Sequence, residues 1–209
     1  MRPLVCSFFT DDFYRKYAVR LRKSACAMQW PHHILPLPDR GGWVKNCGQK
    51  AAFMNAVMSI PSSRPLLWID ADGEITREPR LFLQMSADFA IRAEPGRHTK
   101  KPTGREVQRL PENWPEDVTP RWFNSGTIFV NRTDKGKALL RRWVELTEEK
   151  PSSWDQWTLQ QAWADVQPTT VWLPQSYCKI ATMGWRSGEG PHTYIRHELA
   201  STKRRVSRK

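Results

Sequence analysis

The chain opens on an apolar run, Pro3-Leu4-Val5-Cys6-Ser7-Phe8-Phe9, of the length and bulk of a buried strand. Apolar positions then fall at Phe13, Tyr17, Leu21, Ala25 and Met28, one face of a helix, and Thr10, Asp11 and Asp12 supply the side chains that start one. Pro31 stops the pattern. Residues 32–37 read as a short strand, 38–42 as a turn rich in Pro and Gly, and 45–59 as a second amphipathic helix through Cys47, Ala51, Met54 and Met58. Further strands are expected at 66–69 and 88–92, then a turn and strand over 122–131, helices at about 134–149 and 154–164, and a strand near 169–173. Alternating strands and helices predict an α/β domain with a sheet of parallel strands flanked by helices. The stretch 93–120 is rich in Pro, Gly and charge and too long for a simple connection, which reads as a functional loop.

One of these strands ends abruptly. In Leu66-Leu67-Trp68-Ile69-Asp70-Ala71-Asp72, four apolar residues lead into two carboxylates separated by one residue. In extended backbone, residues two apart project to the same side, so Asp70 and Asp72 can hold one hard cation, and a cation there can grip a diphosphate. The alternative is an ordinary acidic turn after a strand.

Composition bounds the reading. At 209 residues, with 39% hydrophobic and 26% charged, the chain fits one globular α/β domain, expected over 1–200 with a basic tail at 201–209 that is mobile unless something anionic binds it. No stretch has the apolar length of a transmembrane helix, and Met1 to Cys6 is too short and polar-flanked for a signal peptide, so a cytosolic protein is expected. The four cysteines form no CxxC pair and read as reduced thiols. A net charge of +12 favours a polyanionic partner, nucleic acid or an anionic membrane, with a merely solvated basic surface as the alternative. Eleven tryptophans pack a core or shape pockets, and some can stack on sugars or bases.

Several motifs resemble one family when taken in order. Leu66 to Asp72 resembles the aspartate motif of glycosyltransferases with the nucleotide-sugar-binding fold called GT-A. Phe123-Asn124-Ser125-Gly126-Thr127-Ile128-Phe129-Val130-Asn131 resembles their Asn-Ser-Gly turn leading into a strand, and Trp154-Asp155-Gln156-Trp157-Thr158-Leu159 their Asp-Gln helix start. Leu173 to Cys178 is similar to the segment that follows, and Ile195-Arg196-His197-Glu198-Leu199-Ala200-Ser201 to a late histidine segment in glycogenin-like and related bacterial and phage families.

The resemblance implies a GT-A-like (Rossmann-like) α/β fold with a central mixed, mostly parallel sheet flanked by helices, and transfer of a sugar from a nucleotide diphosphate donor, UDP-linked, to a hydroxyl acceptor. The leaving diphosphate develops negative charge, which a divalent cation stabilises. Carboxylates suit magnesium and an added imidazole suits manganese, so Asp70, Asp72 and His197 are the expected ligands, with His192 the competitor for His197. Thr10 and Tyr14 are placed near the nucleotide, Tyr14 either stacking on a base or packing under a loop. Trp43, Asn46 and Lys50 fall where related enzymes face the donor with a basic residue; Lys50 is either a phosphate contact or an exposed helix lysine. Asn124, Ser125 and Gly126 are expected against the transferring sugar, and Asp88 and Arg92 either at the donor sugar or in a structural ion pair. Asp155, with Gln156, is the candidate for acceptor contact or general base, with a helix N-cap as its alternative. For the acceptor, the basic charge and phage-like resemblance point to a hydroxylated base in DNA, against a cell-surface or lipid-linked saccharide, or a non-catalytic nucleic-acid module on the same fold.

Overall fold

The structure, a computed structural model, describes residues 1–95, 113, 115, 121–180 and 192–201. The loop expected at 93–120 therefore lies mostly outside the described residues, as does the tail beyond 201. Among the described residues, a six-stranded sheet has the order β2-β1-β3-β6-β5-β7. Its strands are β1 (Leu4–Phe9), β2 (His32–Pro36), β3 (Leu66–Ile69), β5 (Phe89–Pro95), β6 (Arg121–Val130) and β7 (Thr170–Trp172). β6 is antiparallel to both its neighbours and the other pairs are parallel, so this is the mixed, mostly parallel sheet expected.

Strand β3 shows why the sequence folds this way. Leu66 and Trp68 enter the core on the side of α2 (Trp43–Ser59), α3 (Asp134–Glu149) and α4 (Asp155–Val166), while Leu67 and Ile69 enter the core on the side of α1 (Asp12–Ala27). A strand covered on both faces must be apolar throughout, and all four residues are buried. The helices start on local chemistry. The Asp11 carboxylate accepts from Tyr14 N at 3.0 Å and caps α1, and the Thr133 hydroxyl accepts from Gly136 N at 3.1 Å and caps α3. The turn before α2 passes through Gly42 at φ +148°, a region that favours glycine, and α2 begins at Trp43.

Two features differ from expectation. Asn124-Ser125-Gly126 is not a turn before a strand but lies inside the ten-residue β6. The register of β5 on β6 jumps there, Ile91 facing Ile128 and Arg92 facing Asn124, so Ser125, Gly126 and Thr127 bulge out of the ladder. The chain also forms a second sheet, β4 (Gly73–Ile75), β9 (Ile195–His197) and β8 (Lys179–Ile180), with β9 in the middle. Its antiparallel pairing sets His197 opposite Gly73. No helix among the described residues is long and apolar enough to cross a membrane.

Candidate active site

A cleft of about 840 Å³ opens where the chain leaves the carboxyl ends of β1 and β3, the position at which open α/β sheets bind ligands. It gathers Thr10 after β1, Tyr14 of α1, Lys50 of α2, Asp70 and Asp72 after β3, Asn124 to Gly126 in the bulge of β6, Asp155 and Gln156 opening α4, and His197 of β9. Residues far apart in sequence thus share one cavity.

At its floor lies a buried ammonium. Lys50 Nζ is 2.7 Å from Asp155 Oδ2 and 3.0 Å from Asp70 Oδ1, and it donates to Ser125 Oγ and O at 3.1 and 3.2 Å. The Ser125 hydroxyl donates to Asp155 Oδ2 at 2.8 Å. Burial disfavours the charge on Lys50, but Asp155 and then Asp70 outweigh it and raise its pKa. With 4% of its side chain exposed, Lys50 is not the exposed helix lysine that the sequence left open, and its ammonium meets carboxylates. Nor does Asp155 act as the N-cap: Trp154 holds that position, and the Asp155 carboxylate turns to Lys50 and Ser125.

The two aspartates do not project from extended backbone. β3 ends at Ile69, and Asp70 to Asp72 turn back, with Gly73 N donating to Asp70 O at 2.7 Å. Asp70 Oδ1 accepts from Trp68 Nε1 at 2.7 Å besides facing Lys50, and 38% of its side chain stays open to solvent. Asp72 has other partners, its Oδ1 3.5 Å from His197 Nδ1 and its Oδ2 accepting from Ala200 N at 2.8 Å. His197 is buried, and its Nε2 lies 2.9 Å from Thr127 Oγ1. Burial opposes a charge on this imidazole, but Cys178 and the Asp72 carboxylate favour it and push its pKa up to about 10. Burial likewise raises Asp72, but the hydrogen bond and charge of His197 outweigh it and hold its pKa below the usual carboxylate range.

Glycines make room for that ring. A Cβ on Gly73 would stand 3.2 Å from His197 Cε1, and one on Gly126 3.3 Å from the same atom. Asn124 folds back on its own bulge, its Oδ1 accepting from Gly126 N at 3.0 Å and from the Cys178 thiol at 3.4 Å. Thr10 Oγ1 accepts from Asn46 Nδ2 at 3.4 Å, which also donates to Asp39 at 2.9 Å.

Asp88 and Arg92 are not brought into the cleft. Asp88 lies where β5 begins, accepting from Thr169 N and Oγ1 at 2.8 and 2.7 Å, and Arg92 donates to Cys178 O at 2.7 Å. His192, the competing histidine, is exposed and also outside the cleft lining. Thr127, Cys178 and the Ala200 amide were missed. Thr127 follows Ser125 by two in the strand, a readable signal, whereas Cys178 and Ala200 stand in segments that carry the resemblance but with no role assigned to them.

The donor set suits a hard divalent cation: Asp72 and His197 touch, and Asp70 lines the same cavity with part of its carboxylate open. The three are not a preassembled cluster; among the described residues no group of three His, Cys, Asp or Glu side chains stands ready to hold a metal. Coordination through His197 also requires that its proton leave.

The fold is a mixed α/β fold of the GT-A type. Residues 23–190 match the family of nucleotide-diphospho-sugar transferases, and the chain belongs to it. It is a glycosyltransferase that takes a nucleotide-diphospho-sugar donor. Among solved structures it is similar to a glycosyltransferase involved in the glycosylation of the major capsid of PBCV-1, with a TM-score of 0.63 at 13% identity over 100% of both chains. It is also similar to the glycosyltransferase GlyE of Streptococcus pneumoniae TIGR4, with a TM-score of 0.58 at 15% identity over 94% of this chain and 55% of that one. No curated protein matches the sequence.

Proposed function

We propose that this enzyme transfers a sugar from a UDP-linked donor to a hydroxyl of a polyanionic acceptor, a hydroxylated base in DNA, with a divalent cation held by Asp70, Asp72 and His197. The observation that carries the reading is the convergence of those three side chains, the Asn124–Gly126 bulge and Asp155 on one cleft. Bound there, manganese or magnesium supplies Lewis-acid stabilisation of the charge that develops on the leaving diphosphate. Thr10 and Tyr14, at the β1 end of the cleft, take the nucleotide. Ser125 and Gly126 border the transferring sugar, and the Asn124 amide nitrogen offers donors to its hydroxyls while its oxygen is held by Gly126 N. Asp155 and Gln156 face the acceptor side, with Lys50 fixing the Asp155 carboxylate at 2.7 Å. Four free cysteines fit a reaction in a reducing cytoplasm, the host's if a phage encodes the chain.

A net charge of +12 supports a nucleic-acid acceptor over a neutral cell-surface saccharide. Membership of a transferase family replaces the non-catalytic module that the sequence had left open. The test is a screen of nucleotide sugars with manganese, reading nucleotide release with and without hydroxymethylated DNA. UDP release is expected to require metal and to vanish in Asp72→Ala. Release that survives this substitution overturns the metal assignment, and release that DNA never accelerates overturns the acceptor.

A further inference from the structure

Helix α1 turns Tyr17, Ala18, Leu21 and Ala25 into the core. Its other face carries Arg15, Lys16, Val19, Arg22 and Lys23, all exposed. Successive members lie one, three, three and one positions apart, so they form one stripe along the helix. Asp12 is the sole acidic residue of α1, 96% exposed, with its carboxylate 3.7 Å from Arg15. The carboxylates that neighbouring elements bring to α1 are already matched: Glu198 pairs with Arg20, and Glu74 pairs with both Arg20 and Arg196. They leave the charge of the stripe in place.

A groove of about 700 Å³ runs beside it. Arg15, Val19 and Arg22 form one wall, Pro36 and Leu37 the other, and Asp11 and Asp12 border the end at Thr10. Phe9 and Thr10 also line the donor cleft, so the groove leads from the stripe to the reaction site. Arg22 is fixed in this wall, donating to Ile34 O at 2.8 Å.

We propose that the α1 stripe is the docking surface for a nucleic-acid backbone, with phosphates on Arg15, Lys16, Arg22 and Lys23 and the target strand led along the groove to Thr10. The inference rests on the DNA-acceptor reading above and gives it a surface. From Arg15 to Lys23 the helix rises about 12 Å, a length over which a duplex carries several phosphates. A lipid surface fits this face less well. Helices that lie in a membrane interface bury an apolar face in it, and the apolar face of α1 is already in the core, with Val19 the one exposed apolar side chain of the stripe.

The test uses the full chain and a short fluorescent DNA duplex, with affinity measured across a salt series. Wild type is expected to bind with strong salt dependence. Reversing Arg15→Glu, Lys16→Glu and Lys23→Glu together is expected to weaken binding about tenfold or more at low salt and to flatten the salt slope by about 2 to 3. Nucleotide release without acceptor should stay at the wild-type rate, because none of the three lines the donor cleft. Lys16 also sits 4.7 Å from the Phe13 ring, so the neutral set Arg15→Gln, Lys16→Gln and Lys23→Gln is measured beside it and should show a smaller loss in the same direction. DNA affinity and slope unchanged in both sets overturn the docking surface while leaving a DNA acceptor standing. Wild type that binds anionic vesicles containing phosphatidylserine but no DNA overturns both.

Discussion

Two carboxylates, Asp70 and Asp155, meet the single ammonium of Lys50 at 3.0 and 2.7 Å, and Asp155 is 3% exposed. A buried ion of this kind is kept ionised by its partner, so removing the partner costs more than the pair contributes. Lys50→Met is expected to destabilise the protein by about 3–5 kcal/mol, read as a lower urea midpoint. Adding Asp155→Leu should recover part of that loss, because the uncompensated charge disappears with it. If Lys50→Met unfolds at the wild-type midpoint, the ammonium is not what holds the two carboxylates.

At the same scale, His197 and Asp72 give the protein a pH signature. The folded pKa of His197, about 10, lies above its ordinary 6.5. Its stabilising contribution is therefore complete below 6.5 and is lost as pH rises toward 10. Unfolding free energy should fall in that window with a slope approaching 1.4 kcal/mol per pH unit, about one proton's worth. Asp72 acts in the opposite sense, since its lowered pKa contributes stability above 3.8 that is lost as pH falls further. Denaturation measured across pH in wild type and His197→Gln checks this. A wild-type profile as flat as that of the variant above neutral pH would refute it.

Among the elements, β4 and β9 matter to the site out of proportion to their three residues each. Their pairing sets His197 opposite Gly73, where a Cβ would stand 2.3 Å from Ile69 Cγ2 and 3.0 Å from Asp70 O. Gly73→Ala must shift the turn that carries both aspartates, at a cost of about 1–3 kcal/mol. Its metal-dependent nucleotide release should drop further than that of Thr133→Ala, which removes the α3 cap far from the cleft for about 1 kcal/mol. Equal activity in the two variants would separate β4 from the site. These strands also mark where sequence reading stopped. β3 and α3 were legible to the residue because an apolar run or a 3.6-residue period writes itself into a long element. Strands of two or three residues carry no period, and β4 and β9 exist only because segments more than a hundred residues apart pair. The β6 bulge was hidden for a related reason. Asn-Ser-Gly is local turn chemistry, whereas the register jump that places it mid-strand depends on which residues β5 and β3 bring opposite.

On the scale of the molecule, the cleft is assembled from segments far apart in sequence. Thr10 enters just after β1 and His197 from β9, the first and last strands among the described residues. Beyond β9 the chain still holds the site: Glu198 pairs with Arg20, whose guanidinium also donates to Asp72 O at 3.3 Å, and Ala200 N donates to Asp72 Oδ2 at 2.8 Å. We therefore propose the boundary of the catalytic domain at residue 200, with the basic tail outside it. A chain ending at Ser201 should keep the melting temperature of the full chain and its metal-dependent nucleotide release. One ending at Tyr194 removes the central strand of the small sheet and the partner of Asp72, and should lose both the release and several degrees of melting temperature. The two truncations differ by seven residues, so a difference between them measures what β9 and the turn after it contribute. If the chain ending at Ser201 melts as low as the shorter one, the tail belongs to the fold and the boundary is wrong.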